Sequence, residues 1–297
     1  MAIFDLHGLR QRASELDRAN RAYSRKLVLV YCGVLALLSL GGNALMLLVD
    51  AQMEGTGGLG GLGMRSVLQT IEEALYYGTA FFGPFWAAGF AYSMLHMVRG
   101  RSPELKDLTQ GFRRFGRILG ATLYQVLLSI SMVLATATVA ALLTSPLVKD
   151  PVNATLAETL LVDGVWLVIF LTIFIRILYS FRMSVYLMMD RQIGGVASLF
   201  LSRRLMRGHK RRLFRLDLSY WWYYLLGLIF SVVGYLDAIF MVLGIELPVD
   251  PTVLFFGTMI VYFVLNTALS LWKKCEVDAA CMLFYEEVMA GANLPQM

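Results

Sequence analysis

The chain has 297 residues, of which 58% are hydrophobic and only 16% charged, with a mean hydropathy of +0.64 and a net charge of +5. A soluble domain is about 45–50% apolar and about 25% charged, so an ordinary water-soluble globule is excluded. Three cysteines, Cys32, Cys275 and Cys281, exclude a disulfide scaffold, and none has a histidine beside it to suggest a metal site.

The apolar residues gather in blocks long enough to cross a hydrocarbon layer of about 30 Å, which takes about 20 helical residues. In chain order the predicted spans run roughly Leu27–Val49, Ala74–Val98, Ile118–Val148, Val165–Met189, Leu218–Leu243 and Thr252–Trp272. Backbone groups find no water in lipid, so each block reads as a helix. None shows the period of two that a membrane β-barrel requires. The first block begins only at Leu27 and lacks a cleavage signature, so it is expected to remain as a span.

Basic residues flank these blocks unevenly. Six precede Leu27 (Arg10, Arg12, Arg18, Arg21, Arg25 and Lys26), six follow span 2 between Arg99 and Arg117, eight follow span 4 between Arg191 and Arg215, and Lys273 and Lys274 follow span 6. The remaining connections hold only Arg65 and Lys149, with nine acids. Cytoplasmic flanks collect Lys and Arg, so the pattern predicts six spans in the cytoplasmic membrane with both termini in the cytoplasm.

The densest charge, Arg203, Arg204, Arg207, Lys210, Arg211, Arg212 and Arg215, stands directly before Trp221, Trp222, Tyr223 and Tyr224. Ala197, Leu201 and Leu205 share one side of a predicted helix and Arg203, Arg207 and Lys210 the other, which describes a surface-lying helix with its cations toward lipid phosphates. A nucleic-acid patch is the rival reading, and the adjoining span favours anionic phospholipid head groups. The segments before spans 1, 3 and 5 are all basic and mildly amphipathic, so the chain reads as three repeats of surface helix plus helical hairpin. A fourth surface helix is expected at Lys273–Met289, where Val277, Cys281 and Phe284 can share a face. The whole is one all-α membrane domain, residues 1–297. It divides into an N-terminal segment 1–26, spans 1–2 in 27–98, a surface helix with spans 3–4 in 99–189, a second such unit in 190–272, and a C-terminal segment 273–297.

The stretch SRRLMRGHKRRLFRLDLSYWWYYLL, with Ser202, Leu205, Met206, Gly208, Lys210, Leu213, Phe214, Leu216, Leu218, Ser219 and Tyr220 at its marked positions, resembles the integral membrane family catalogued as domain of unknown function 975. GFRRFGR at Gly111–Arg117 and YLMMD at Tyr186–Asp190 resemble two further elements of that family. The resemblance covers most of residues 76–240. It implies a bacterial cytoplasmic-membrane protein with several spans, and no known reaction.

Span 4 carries the sharpest candidate. Thr172, Arg176, Tyr179, Arg182 and Tyr186 form a polar stripe, and counting from Val165 puts Arg176 in mid-membrane. A central arginine costs at least about 2.5–3.5 kcal/mol, so it should face protein, water or a ligand. The functional reading is an anion or lipid-phosphate site built on Arg176 with Tyr179, Arg182 and Asn266; the structural reading is an ion pair, for which Asp217 and Asp237 are the candidate acids. Gly83-Pro84 interrupts span 2 and reads either as a kink or as a break exposing backbone to a ligand, with Pro84 at its edge. The run Gly55-x-Gly57-x-x-Gly60 lacks a preceding strand and reads as a loop; Asn153-Ala154-Thr155 fits a glycosylation sequon. His7, His96 and His209 are scattered, and no catalytic motif, metal set or cofactor fingerprint is present, so no enzyme is expected. The sequence therefore points to a membrane protein that binds or transports an amphiphilic or anionic small molecule, lipid or peptide. The alternative is a non-transporting scaffold whose basic surface helices dock a membrane-protein partner or another copy of the chain.

Overall fold

The computed structural model describes residues 5–53, 81–101, 104–145, 156–236, 239–240 and 251–292. The loop at 55–60, Glu72, Glu73, Asn153 and Asp237 lie outside these. Among the described residues every regular element is helical and there is no strand. The chain forms two compact units, Met1–Arg113 with Arg215–Glu287, and Arg114–Phe214 with Val288–Met297.

The first unit opens with α1 (Leu6–Ala19), capped by the Asp5 carboxylate, which accepts from the Gly8 N–H at 2.9 Å. Leu9 and Ala13, one turn apart, are its buried face. The chain breaks at Asn20 and continues as α2 (Arg21–Met53). Residues 81–98 form α3, with Phe85, Ala88, Phe90, Met94, Leu95 and Met97 buried. A 3₁₀ turn (Leu105–Thr109) and the short α4 (Gln110–Arg113) fold back against α3. Two glycines permit this: a Cβ on Gly89 would lie 1.8 Å from the Leu108 carbonyl oxygen, and one on Gly111 would lie 1.9 Å from that of Phe85. The turn is fastened by Asp107, whose Oδ2 accepts from the Glu104 N–H at 2.9 Å and lies 3.2 Å from His96 Nδ1.

The second unit contains α5 (Phe115–Thr144), α6 (Leu156–Phe181), α7 (Ser184–Arg191) and α8 (Gly195–Leu205). Gly195 brings the start of α8 onto the first turn of α5, where a Cβ would meet the Arg117 carbonyl oxygen at 1.9 Å. Helix α9 (Lys210–Ser219) leads back to the first unit, followed by α10 (Trp221–Val233) and α11 (Pro251–Gly291). Gly227 of α10 and Gly234, just past its end, face Leu269 and Tyr262 of α11.

Among the described residues, four helices are long and apolar enough to cross a membrane: Arg21–Gly41, Phe115–Thr144, Thr159–Arg191 and Val253–Gly291. The pair α9 and α10, bent by 67° at Tyr220, makes a fifth when taken together. That bend falls where the basic cluster meets the aromatic run, as expected.

Three expectations change. The cationic stretch is not one helix, because Gly208 adopts φ +86 and separates α8 from α9. Ala197 is exposed, and the buried face of α8 is Ser198, Leu199, Ser202 and Leu205. No separate surface helix follows span 6, since α11 runs unbroken for 41 residues and Cys275, Val277, Cys281 and Phe284 are buried. Lys273 and Lys274 do not interrupt it because Glu276 and Asp278 pair with them one turn on, at 2.6 and 3.1 Å. Finally, the stretches Phe85–Met97 and Ser180–Met189, assigned to spans 2 and 4, are largely buried among protein. Hydropathy is equally high for a side chain facing lipid and one packed in a core, so it does not separate these two surroundings.

Candidate functional site

Helix α6 ends at Phe181, and the end of an α-helix leaves carbonyl groups without intrahelical donors. Here a side chain supplies one of them, at Ser180, and others reinforce the turn before it. Ser180 Oγ donates to the Arg176 carbonyl at 2.6 Å, and Lys210 Nζ donates to Ser180 Oγ and, at 3.3 Å, to the same Arg176 carbonyl. Ser202 Oγ, from the buried face of α8, donates to the Ser180 carbonyl at 2.8 Å. A cation at a helix C-terminus also meets the negative end of the helix dipole. Lys210 is thus committed to the protein, which its place in the basic cluster did not suggest. Arg114 does the same for α7, where its Nη1 donates to the carbonyls of Met188, at 2.9 Å, and Met189.

Arg176 itself is exposed. Helix α6 ends at Phe181, five residues or about 7.5 Å along the axis beyond Arg176, while the longer apolar stretch Thr159–Arg191 has Arg176 near its middle. Its carbonyl shares Lys210 with Ser180, which sets it at the level where the basic segment docks. Leu171, Ile173, Ile175 and Leu178 around it are exposed as well. Arg203, Arg204, Arg207 and Arg211 are exposed on the following segment, whereas Lys210 and Arg212 are half-buried. Tyr179 packs edge-on to Phe214, centroids 5.9 Å apart, and Arg182 is half-buried in the turn between α6 and α7. The second unit therefore carries an exposed guanidinium on an apolar helix face, and exposed arginines on the basic segment that follows.

The other predicted residues belong to the first unit. Asn266 Nδ2 donates to Tyr262 Oη at 3.5 Å, one turn earlier on α11. Asp217 accepts from Tyr224 Oη at 3.4 Å and lies 4.0 Å from Cys281 Sγ. Pro84 is half-buried within α3, and Arg215 is exposed on α9.

A second polar cluster, in the first unit, was not anticipated. The Lys274 ammonium lies 4.7 Å from the Phe90 ring centroid and 5.2 Å from that of Tyr31, with Asp278 paired to it and Tyr223 beside it. Helices α2, α3, α10 and α11 each contribute to this aromatic box. Its only sequence signal was the Lys274–Asp278 spacing of four on a helix.

Residues 59–290 match the family described as "Protein of unknown function (DUF975)". No curated protein and no solved structure matches the chain.

Proposed function

The chain belongs to the DUF975 family, and from that premise we propose that it is a multi-pass membrane protein that holds an anionic amphiphile against α6, with the negative group on Arg176. The observation that carries this reading is the exposed Arg176 among exposed Leu171, Ile173, Ile175 and Leu178. An arginine so placed in lipid is costly unless it reaches the interface or meets an anion, and about 7.5 Å from the helix end it can do both. A molecule with an acidic head and an apolar tail matches the surroundings on both counts. Tyr179 and the exposed Arg203, Arg207 and Arg211 supply further hydrogen bonds and charge near that level. Passive retention and transport of such a molecule begin with this same contact.

The topology taken with this reading has six spans, both termini in the cytoplasm and three repeats of basic segment plus hairpin, in the cell membrane. Its support is the charge alternation, the five span-length elements and the helical residues 81–98 that stand where span 2 should end. A non-transporting scaffold is the second reading. It is favoured by Arg203, Arg204, Arg207 and Arg211, which the fold leaves exposed for a docking partner.

Arg176→Leu tests the proposal. Purified with native lipid in mild detergent, the wild-type chain is expected to retain phosphatidylglycerol in native mass spectra. The variant is expected to melt at the same temperature and to bind this lipid about tenfold more weakly, a difference of about 1.4 kcal/mol. Unchanged retention in a folded variant overturns the proposal.

A further inference from the structure

Along α11 the surroundings of apolar side chains change within a few turns. Val253, Ile260, Val261 and Val264 are exposed, the last at 62%, whereas Cys275, Val277, Ala279 and Ala280 are buried, with both alanines at 0%. Both halves are apolar, so the change reflects their surroundings and not the residues. At the crossover stands Trp272, 60% exposed, with the Lys273 ammonium 5.6 Å from its ring centroid. The chain entering α10 shows the same change in the opposite direction. Leu216 and Tyr220 are buried, Trp221 and Trp222 are exposed, and Leu228, Ile229 and Val232 beyond them are exposed too. Gly227, one turn past Tyr223, packs where a Cβ would lie 3.8 Å from Leu269 Cδ2, one turn before Lys273, so the two crossovers share one level.

An exposed indole beside a lysine, at the edge of an exposed apolar band, suits the head-group layer of a bilayer. That layer accepts the ring, its N–H and the ammonium together. We infer that Trp221, Trp222 and Trp272, with Lys273, form a belt seated among phospholipid head groups, and that α11 leaves the bilayer at this belt. The remaining stretch, Lys273–Gly291, about 28 Å of helix, continues outside the hydrocarbon as the central strut of a protein core. Leu9, Leu27, Met94, Leu108 and Tyr285 belong to the buried residues of that core's unit. This extends the expectation for Trp221 and Trp222 to a second helix, and it stands whether or not Arg176 binds an amphiphile.

The test uses the full chain in vesicles of phosphatidylcholine and phosphatidylglycerol that carry bromine either near the acyl carbonyls or near the chain ends. In a variant with Trp86, Trp166, Trp221 and Trp222 changed to Phe, the fluorescence of Trp272 is expected to be quenched at least twofold more by the shallow bromines. A variant keeping Trp222 alone should behave alike. Stronger quenching by deep bromines, or none by either, overturns the belt. Should these variants fold poorly, Val264→Cys and Glu287→Cys in the otherwise native chain decide the matter with a membrane-impermeant maleimide added to both faces. Modification at 287 and not at 264, above the background of native cysteines, supports the exit at Trp272; any other pattern overturns it.

Discussion

Gly89→Ala is expected to leave little or no correctly folded protein. Its new methyl group would lie 1.8 Å from the Leu108 carbonyl oxygen and 2.5 Å from the carbonyl carbon, and these are backbone atoms that no rotamer change can move. The facing contact is equally close, with Gly111 against the Phe85 carbonyl oxygen. The segment 105–113 would have to retreat from α3 along its whole length, opening the core around Phe85, Leu108 and Met94, which are all almost fully buried. Overpacking a core costs about 1–3 kcal/mol where side chains can yield. With backbone on both sides we expect more than about 4 kcal/mol, in the range that unfolds a marginally stable protein. Gly111→Ala should fail alike. Gly116→Ala and Gly120→Ala on α5 have nothing within 4 Å of the added atom and should be neutral or stabilising by up to about 1 kcal/mol. Monodisperse yield on size-exclusion chromatography in detergent separates the two pairs.

Lys274→Met should be the most damaging loss of a single charge. It leaves the Asp278 carboxylate without its ammonium and removes the cation from between the Tyr31 and Phe90 rings. Removing one member of a buried pair costs about 3–5 kcal/mol. The two side chains keep 22% and 23% of their exposure, so the lower end, about 3 kcal/mol, is expected. Asp278→Asn should cost somewhat less, because the amide can still accept from Lys274. The double variant Lys274→Met with Asp278→Leu removes both charges and should be more stable than either single variant, since an apolar pair carries no desolvation penalty. Melting temperatures from scanning fluorimetry would show this ordering. A double variant as unstable as the sum of the single changes would mean that the pair is not what holds the four helices together.

The sequence made the apolar rods and their basic ends legible because both signals are coarse. The start of α5 at Phe115 against an expected Ile118, and the bend at Tyr220, were read from composition alone. What composition cannot separate is one apolar environment from another. Phe85–Met97 is as hydropathic as a lipid-facing stretch, yet it packs against Leu108 and Phe112. Serine works in the opposite direction. Ser198 and Ser202 are polar residue types, but each hydroxyl bonds a carbonyl and both are fully buried. For Arg176 the residue type was informative, and the helix break beside it was not legible. Arg176 stands near the middle of the apolar stretch Thr159–Arg191, and the break that puts it five residues from the end of α6 has no signal in hydropathy. The Lys274 box could not be read at all, because Tyr31, Phe90 and Tyr223 are far from it in sequence and only the fold unites them.

The basic ends of the helices should all occupy one compartment, and site-directed labelling of oriented vesicles measures that directly. Gln11→Cys, Arg204→Cys and Ser145→Cys each place a thiol at an exposed position, the first two among basic segments and the third past the last full turn of α5. An impermeant maleimide should label positions 11 and 204 from the same face and position 145 from the other. Labelling of position 204 from the face that reaches 145, with 11 protected, would contradict the topology.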